Sequence, residues 1–186
     1  MRSLATKCGS SSSVERLLAK EKVAGPIPVS RSEMKIISSA FEHNSKIPSK
    51  YTCDGENVSP PLQFLDVPSS AKSLVLIVDD PDAAATSDVA PSKIWVHWVV
   101  YNINPQTSEV KENSVPEGGI EGVTDFGKPG YGGACPPSGT HRYFFKLYAL
   151  DSSLDLPQNA TKQMVEEKMQ GHVIDKAELI GLYSRG

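Results

Sequence analysis

Asp80, His97 and the neighbours His141 and Tyr143 come from three distant segments of the 186-residue sequence, yet each sits where its side chain could reach a common hollow. Imidazoles and phenols donate hydrogen bonds, and a carboxylate beside an imidazole orients the ring and favours its charged form. Together such groups suit the binding of an oxyanion. Asp80 lies in Asp79-Asp80-Pro81-Asp82, at the end of an apolar run, where period-two geometry puts it on one face with Leu74, Leu76 and Val78. Its carboxylate is expected at the rim of a core, whereas a bare acid cluster would be only a solvated turn. His97 stands between Trp95-Val96 and Trp98-Val99, so its ring needs a polar partner in apolar surroundings.

The third candidate is the run from Gly130 to Tyr143, Gly-Tyr-Gly-Gly-Ala-Cys-Pro-Pro-Ser-Gly-Thr-His-Arg-Tyr. Glycines let backbone approach a ligand and expose N–H groups, and adjacent prolines stiffen a wall. Alternation then sends His141, Tyr143, Phe145 and Leu147 to one face and Arg142, Phe144, Lys146 and Tyr148 to the other.

The elements that must position these residues are short and bounded by Pro and Gly, the pattern of strands joined by turns. Strands are expected at residues 34–41, 73–79, 95–102, 143–150 and 177–184, with 73–79 apolar on both faces and therefore central. The one convincing helix spans 162–170, with Thr161 as N-cap and Gly171 able to take the left-handed terminal conformation. The expected fold is mainly β, a two-sheet Greek-key β-sandwich with one or two short helices near the C-terminus. Residues 34–186 form the domain, and 1–33 an N-terminal extension. That extension is basic and Ser-rich at its start, with a short charged helix at 14–22 and a break at 25–28; it reads as a disordered tail or an organellar presequence.

Composition excludes several classes. A net charge of -3 and a pI near 5.8, with the basic residues scattered, leave no footprint for nucleic acid. The apolar runs fall short of the ~20 residues of a membrane-spanning helix, so an integral membrane protein is not expected. His43, His97, His141 and His172 show no metal-ligand spacing, and neither metal nor cofactor is expected. Cys8, Cys53 and Cys135 are odd in number with no paired spacing, which makes a reducing cytoplasm the simplest reading. A Cys53–Cys135 bridge stays open and would change that compartment argument.

Taken in order, Cys53-Asp54-Gly55 with Ser59-Pro60-Pro61-Leu62, Asp80-Pro81-Asp82, Trp95-Val96-His97-Trp98 and Pro136-Pro137-Ser138-Gly139-Thr140-His141-Arg142-Tyr143 resemble the phosphatidylethanolamine-binding protein family, closest to its short bacterial Raf-kinase-inhibitor-like branch. The resemblance runs from about Met34 to Arg185. It implies a two-sheet Greek-key fold with a small anion pocket at one end. Carried over, that pocket comprises Asp80, His97, Pro136, His141 and Tyr143, with Tyr131 and Gly133 on the loop beside it; Asp82 and Arg142 are structural. The implied ligand is phosphate or a phosphoethanolamine-like headgroup. Kinase regulation does not transfer, because the chain lacks the longer features of the eukaryotic branch. Two departures stand out: Ala134 where the branch usually has proline, and a longer segment at 83–92.

Asp80 then has two conceivable roles, pairing with an imidazole to keep it cationic or receiving the ammonium of a zwitterion. A cationic imidazole is the expected anchor. Two other classes compete. A hydrolase would use Ser138 or Cys135 as nucleophile, His141 or His97 as base and Asp80 to orient it, but no Gly-x-Ser-x-Gly elbow is present, and no catalytic residue is assigned. A protease- or kinase-inhibitor-like interaction module would use the lengthened 83–92 segment. A homodimer is compatible with the sequence, as is monomeric behaviour.

Overall fold

β-branched and aromatic residues fill the segments between the Pro and Gly punctuation, and these pair as strands in the computed structural model, which describes residues 33–83 and 94–185. The strands are β1 Lys35–Ile37, β2 Ser45–Lys46, β3 Leu62–Leu65, β4 Ser73–Asp80, β5 Trp95–Ile103, β6 Glu109–Val110, β7 Ile120–Glu121, β8 His141–Leu150 and β9 Val173–Tyr183, with α1 at Lys162–Met169 between the last two. They form a three-stranded sheet of order β1-β3-β6 and a six-stranded sheet of order β2-β9-β8-β4-β5-β7. The protein is thus mainly β, with two sheets, the helix α1 and a 3-10 turn at Ser49–Tyr51 among the described residues. None of the described helices is long and apolar enough to cross a membrane.

The central strand is β4, antiparallel to both β5 and β8. One set of its side chains, Leu74, Leu76 and Val78, packs with Ile36, Phe64, Val110, Phe145 and Leu147 in a core shared with the small sheet. The alternate set, Val75 and Ile77, packs with Val99, Tyr101, Leu154, Val165 and Met169 against α1 and the loops on the other face. Burial on both faces explains why 74–78 reads as an unbroken apolar run. At its end the two acids part: Asp80 follows the Leu76 side and Asp79 the α1 side. Asp79 is fully buried and holds two ammonium groups, Lys162 Nζ at 2.6 Å and Lys146 Nζ at 2.9 Å. That pairing ties the first turn of α1 to the sheet. Thr161 caps the helix through its hydroxyl, which accepts from Met164 N at 3.4 Å, and Gly171 leaves it at φ +79°.

The strand expected over 34–41 is shorter. Only Lys35–Ile37 pairs, because Ser38 turns its hydroxyl onto the Pro61 carbonyl (2.7 Å) and Phe41 folds into the core against Phe145. The last strand begins earlier than expected, at Val173, since β8 offers it pairing along its whole length. The helix at 14–22, the extension as a whole and nearly all of 83–92 lie outside the described residues.

Candidate functional site

A bulge builds the site. Val78 pairs with Trp98, but Asp79 pairs with Val96, so His97 is the extra residue in β5. Val96, Val99 and Tyr101 belong to the α1-side core, whereas Trp98 and Val100 belong to the other. The additional residue reverses the alternation and brings His97 to the same side as Trp98. There its ring meets Tyr143 edge-on at 5.1 Å and Phe126 at 5.5 Å. Gly132 then grips it twice: Gly132 N donates to the His97 carbonyl (2.9 Å), and His97 Nδ1 lies 2.7 Å from the Gly132 carbonyl. Burial pushes the His97 imidazole below its ordinary range, partly opposed by the charges of Asp80, Asp79 and Asp125.

His141, at the start of β8, places Nδ1 2.7 Å from Asp80 Oδ2. The other oxygen of Asp80 accepts the backbone N–H groups of Asp82 (2.8 Å) and Ala83 (3.1 Å). Both carboxylate oxygens are therefore engaged, which favours orientation of His141 over capture of a ligand's ammonium. Tyr143 lies on the same face two residues on. Its phenol is pushed up by burial and then by the Asp80 charge; it lies close to Asp80 and the Cys135 backbone without well-formed hydrogen bonds to either. Outside this group Arg142 forks onto Asp82, with Nε to Oδ2 at 2.9 Å and an Nη to Oδ1 at 2.7 Å, and lowers the Asp82 pKa through that bond.

These residues surround a cavity of about 420 Å³ lined by Asp80, Ala83, Trp95, His97, Phe126, Cys135, Pro137 and His141. Asp80, His97, His141 and Tyr143 are all at least 96% buried, with 3%, 3%, 3% and 2% of their surface exposed. Two polar atoms here are buried without a partner, His141 Nε2 and the Tyr143 hydroxyl. A larger groove of about 600 Å³ runs along β1 and β9, but its charged residues, including Glu33, Lys35, Glu42 and Lys176, are exposed to solvent. No group of three His, Cys, Asp or Glu side chains among the described residues is arranged to hold a metal ion.

Four expected wall residues, Pro136, Tyr131, Gly133 and Tyr143, stand behind the surface rather than on it, the last with its ring against His97. Pro136 is buried and Pro137 takes the wall position, because alternation along this extended loop turns the first proline inward. Tyr131 donates its hydroxyl to the Tyr51 carbonyl (2.9 Å) and packs edge-on to Trp98. Gly133 donates its N–H to Asn57 Oδ1 (2.7 Å), and a Cβ there would fall 2.5 Å from that oxygen and 2.8 Å from Thr52 Cα. Both hold the loop to residues 51–57. So does a Cys53–Cys135 disulfide with Cα atoms 5.4 Å apart, which removes the ground for expecting a reducing compartment. Sequence reasoning missed Trp95, Phe126 and Cys135 as wall residues and Asn57 as the loop's anchor. Only for Asn57 was there a local signal, a residue type that tolerates its φ of 57°.

The profile described as phosphatidylethanolamine-binding protein matches residues 37–184. A protein of Methanothermobacter thermautotrophicus named UPF0098 protein is 53% identical over 158 residues, covering 82% of this chain and 100% of its own. The crystal structure of a candidate phosphatidylethanolamine-binding protein homolog from Chlamydia trachomatis superposes with a TM-score of 0.77 at 43% identity, covering 83% of this chain and 99% of that one. YbcL of E. coli, described as a new member of the mammalian family, gives 0.74 at 29% identity over 83% and 100% of the two chains. With the family profile spanning most of the chain, and close relatives aligned over nearly their whole length, this protein belongs to the phosphatidylethanolamine-binding protein family.

Proposed function

We propose that the chain is a binding protein whose cavity takes an oxyanion of the phosphate class, either free phosphate or a phosphate ester such as phosphoethanolamine. The observation that carries this is the buried, unpartnered Nε2 of His141, a residue that lines one small cavity, with a second such atom, the Tyr143 hydroxyl, behind the wall. Buried polar groups are nearly always hydrogen-bonded, and an unmet one costs about 1–3 kcal/mol, so a ligand that satisfies His141 is favoured. Two or three charge-assisted contacts at roughly 1.5–3 kcal/mol each support micromolar to millimolar affinity after association costs.

The reading is one of binding without turnover. Cys135 is half of a disulfide and offers no thiolate, and Ser138 borders a different depression with Asp54, Pro137, Tyr183 and Arg185. The disulfide also favours an oxidising compartment over the cytoplasm. An interaction-module role would rest on 83–92, where no observation favours it.

The test is an NMR titration of the full chain with inorganic phosphate and with phosphoethanolamine, repeated on His141→Ala. Shifts centred on His97, His141 and Tyr143, weakened at least tenfold in the variant, are expected. Equal affinity in the variant, or hydrolysis of an aryl phosphate that disappears with His141, overturns the proposal.

A further inference from the structure

The two imidazoles have their proton positions set by what they already touch. A carbonyl oxygen cannot donate, so the 2.7 Å contact to Gly132 puts the proton of His97 on Nδ1. The 2.7 Å contact to Asp80 does the same for His141. Each ring therefore presents Nε2 as its remaining nitrogen. For Nε2 to donate, a ring must take up a second proton, and for His97 burial opposes that despite the nearby acids Asp80, Asp79 and Asp125. At neutral pH the His97 nitrogen is consequently a lone pair, an acceptor facing whatever the cavity holds. An oxyanion with no hydrogen of its own would set oxygen lone pairs against it.

Charge points the same way. Asp80 contributes one negative charge, His141 is its partner, and no Lys or Arg lines the cavity among the described residues. The nearest guanidinium, Arg142, is committed to Asp82, and the Tyr143 phenol stays protonated. Among the described residues nothing there balances a dianion.

We infer that the cavity selects an anion that brings its own proton, a phosphate monoester in its monoanionic form, over a phosphodiester of equal charge. The P–OH of the monoester donates to His97 Nε2, on a residue that lines the cavity. The inference rests on the anion-binding reading above and adds which member of the class is bound. It also replaces the cationic imidazole expected from the sequence with a neutral one at His97. At His97 the fall of affinity with rising pH then belongs to the ligand, which loses its second proton.

Calorimetry on the full chain with methyl phosphate, methylphosphonate and dimethyl phosphate separates the possibilities. Methylphosphonate holds its second proton to higher pH than methyl phosphate. The pH at which affinity is lost is expected to move up by the difference between the two ligands' second pKa values, and dimethyl phosphate to bind at least tenfold more weakly than methyl phosphate near pH 6. Coincident midpoints for the two monoanions, or dimethyl phosphate within twofold of methyl phosphate, overturn the inference while leaving anion binding intact. Failure of all three probes to bind overturns the anion reading itself. His97→Gln supplies an N–H in place of the lone pair; it is expected to bring the monoester-to-diester ratio close to one, and an unchanged ratio in the folded variant counts against the inference.

Discussion

Reducing the Cys53–Cys135 bridge will destabilise the protein while leaving its cavity nearly intact. The two cysteines are 82 residues apart, and cross-linking a loop of that size removes about 15 cal/mol/K of entropy from the unfolded chain, worth about 4.5 kcal/mol at 25 °C on the chain-entropy relation. Measured losses for native disulfides run about 2–5 kcal/mol. In a chain of this length that corresponds to roughly 5–15 °C in melting temperature. The native loop has other ties: Cys53 N to the Ala134 carbonyl at 3.1 Å, Gly133 N to Asn57 Oδ1 at 2.7 Å and the Tyr131 hydroxyl to the Tyr51 carbonyl at 2.9 Å. Reduction therefore acts mainly on the unfolded ensemble, and anion affinity should change less than about threefold, under 1 kcal/mol. Urea unfolding followed by fluorescence of Trp95 and Trp98, on oxidised protein, reduced protein and a Cys53→Ser/Cys135→Ser variant, gives the midpoint and slope; the slope should rise as the released chain exposes more surface. Equal stability of oxidised and reduced forms refutes the loop-entropy reasoning. A collapse of anion binding with stability retained refutes the claim that the hydrogen bonds suffice to hold the wall once the bridge is opened.

Three further outcomes are expected. Because burial lowers the His97 pKa from 6.5, the unfolded state binds more protons than the native state as pH drops below that value, so stability should decline from about pH 6.5 downward and level off below the native pKa; His97→Gln should remove that slope, and an identical slope in the variant refutes the assignment. Asp79→Ala leaves two largely sheltered ammonium groups facing each other and should cost about 3–5 kcal/mol by urea denaturation, most of it recovered when Lys146 and Lys162 are also made Met; no recovery would mean that Asp79 acts by packing instead. Gly133→Ala forces the loop off Asn57 and Thr52 and should cost about 1–3 kcal/mol and weaken phosphate binding, whereas an unchanged melt and affinity would show that the loop yields freely.

What could be read from the chain follows from the range of the interactions involved. The long central strands, the helix with its Thr161 cap and Gly171 exit, and the grouping of His141 with Tyr143 depend on neighbours within a few residues, and alternation or helical period reports those directly. The four-residue strand β3 and the two-residue strands β2, β6 and β7 were not legible, since so few positions carry no period and exist only because a longer strand offers an edge.

By itself the sequence determined that the protein is mainly β, that Asp80 ends a buried strand on its core side, and that the glycine- and proline-rich run would serve as a wall. Tertiary structure alone decided the rest. Strict alternation from Val99 and Tyr101 would have turned His97 toward α1, and the bulge opposite Val78 and Asp79 turned it to the cavity. Which proline faces the ligand, which cysteines join, and which ring nitrogen carries the proton are likewise set by partners 35 to 82 residues away, such as the Gly132 carbonyl and Cys53. A contact of that range leaves no local pattern, because its free energy depends on where the whole sheet brings the two segments.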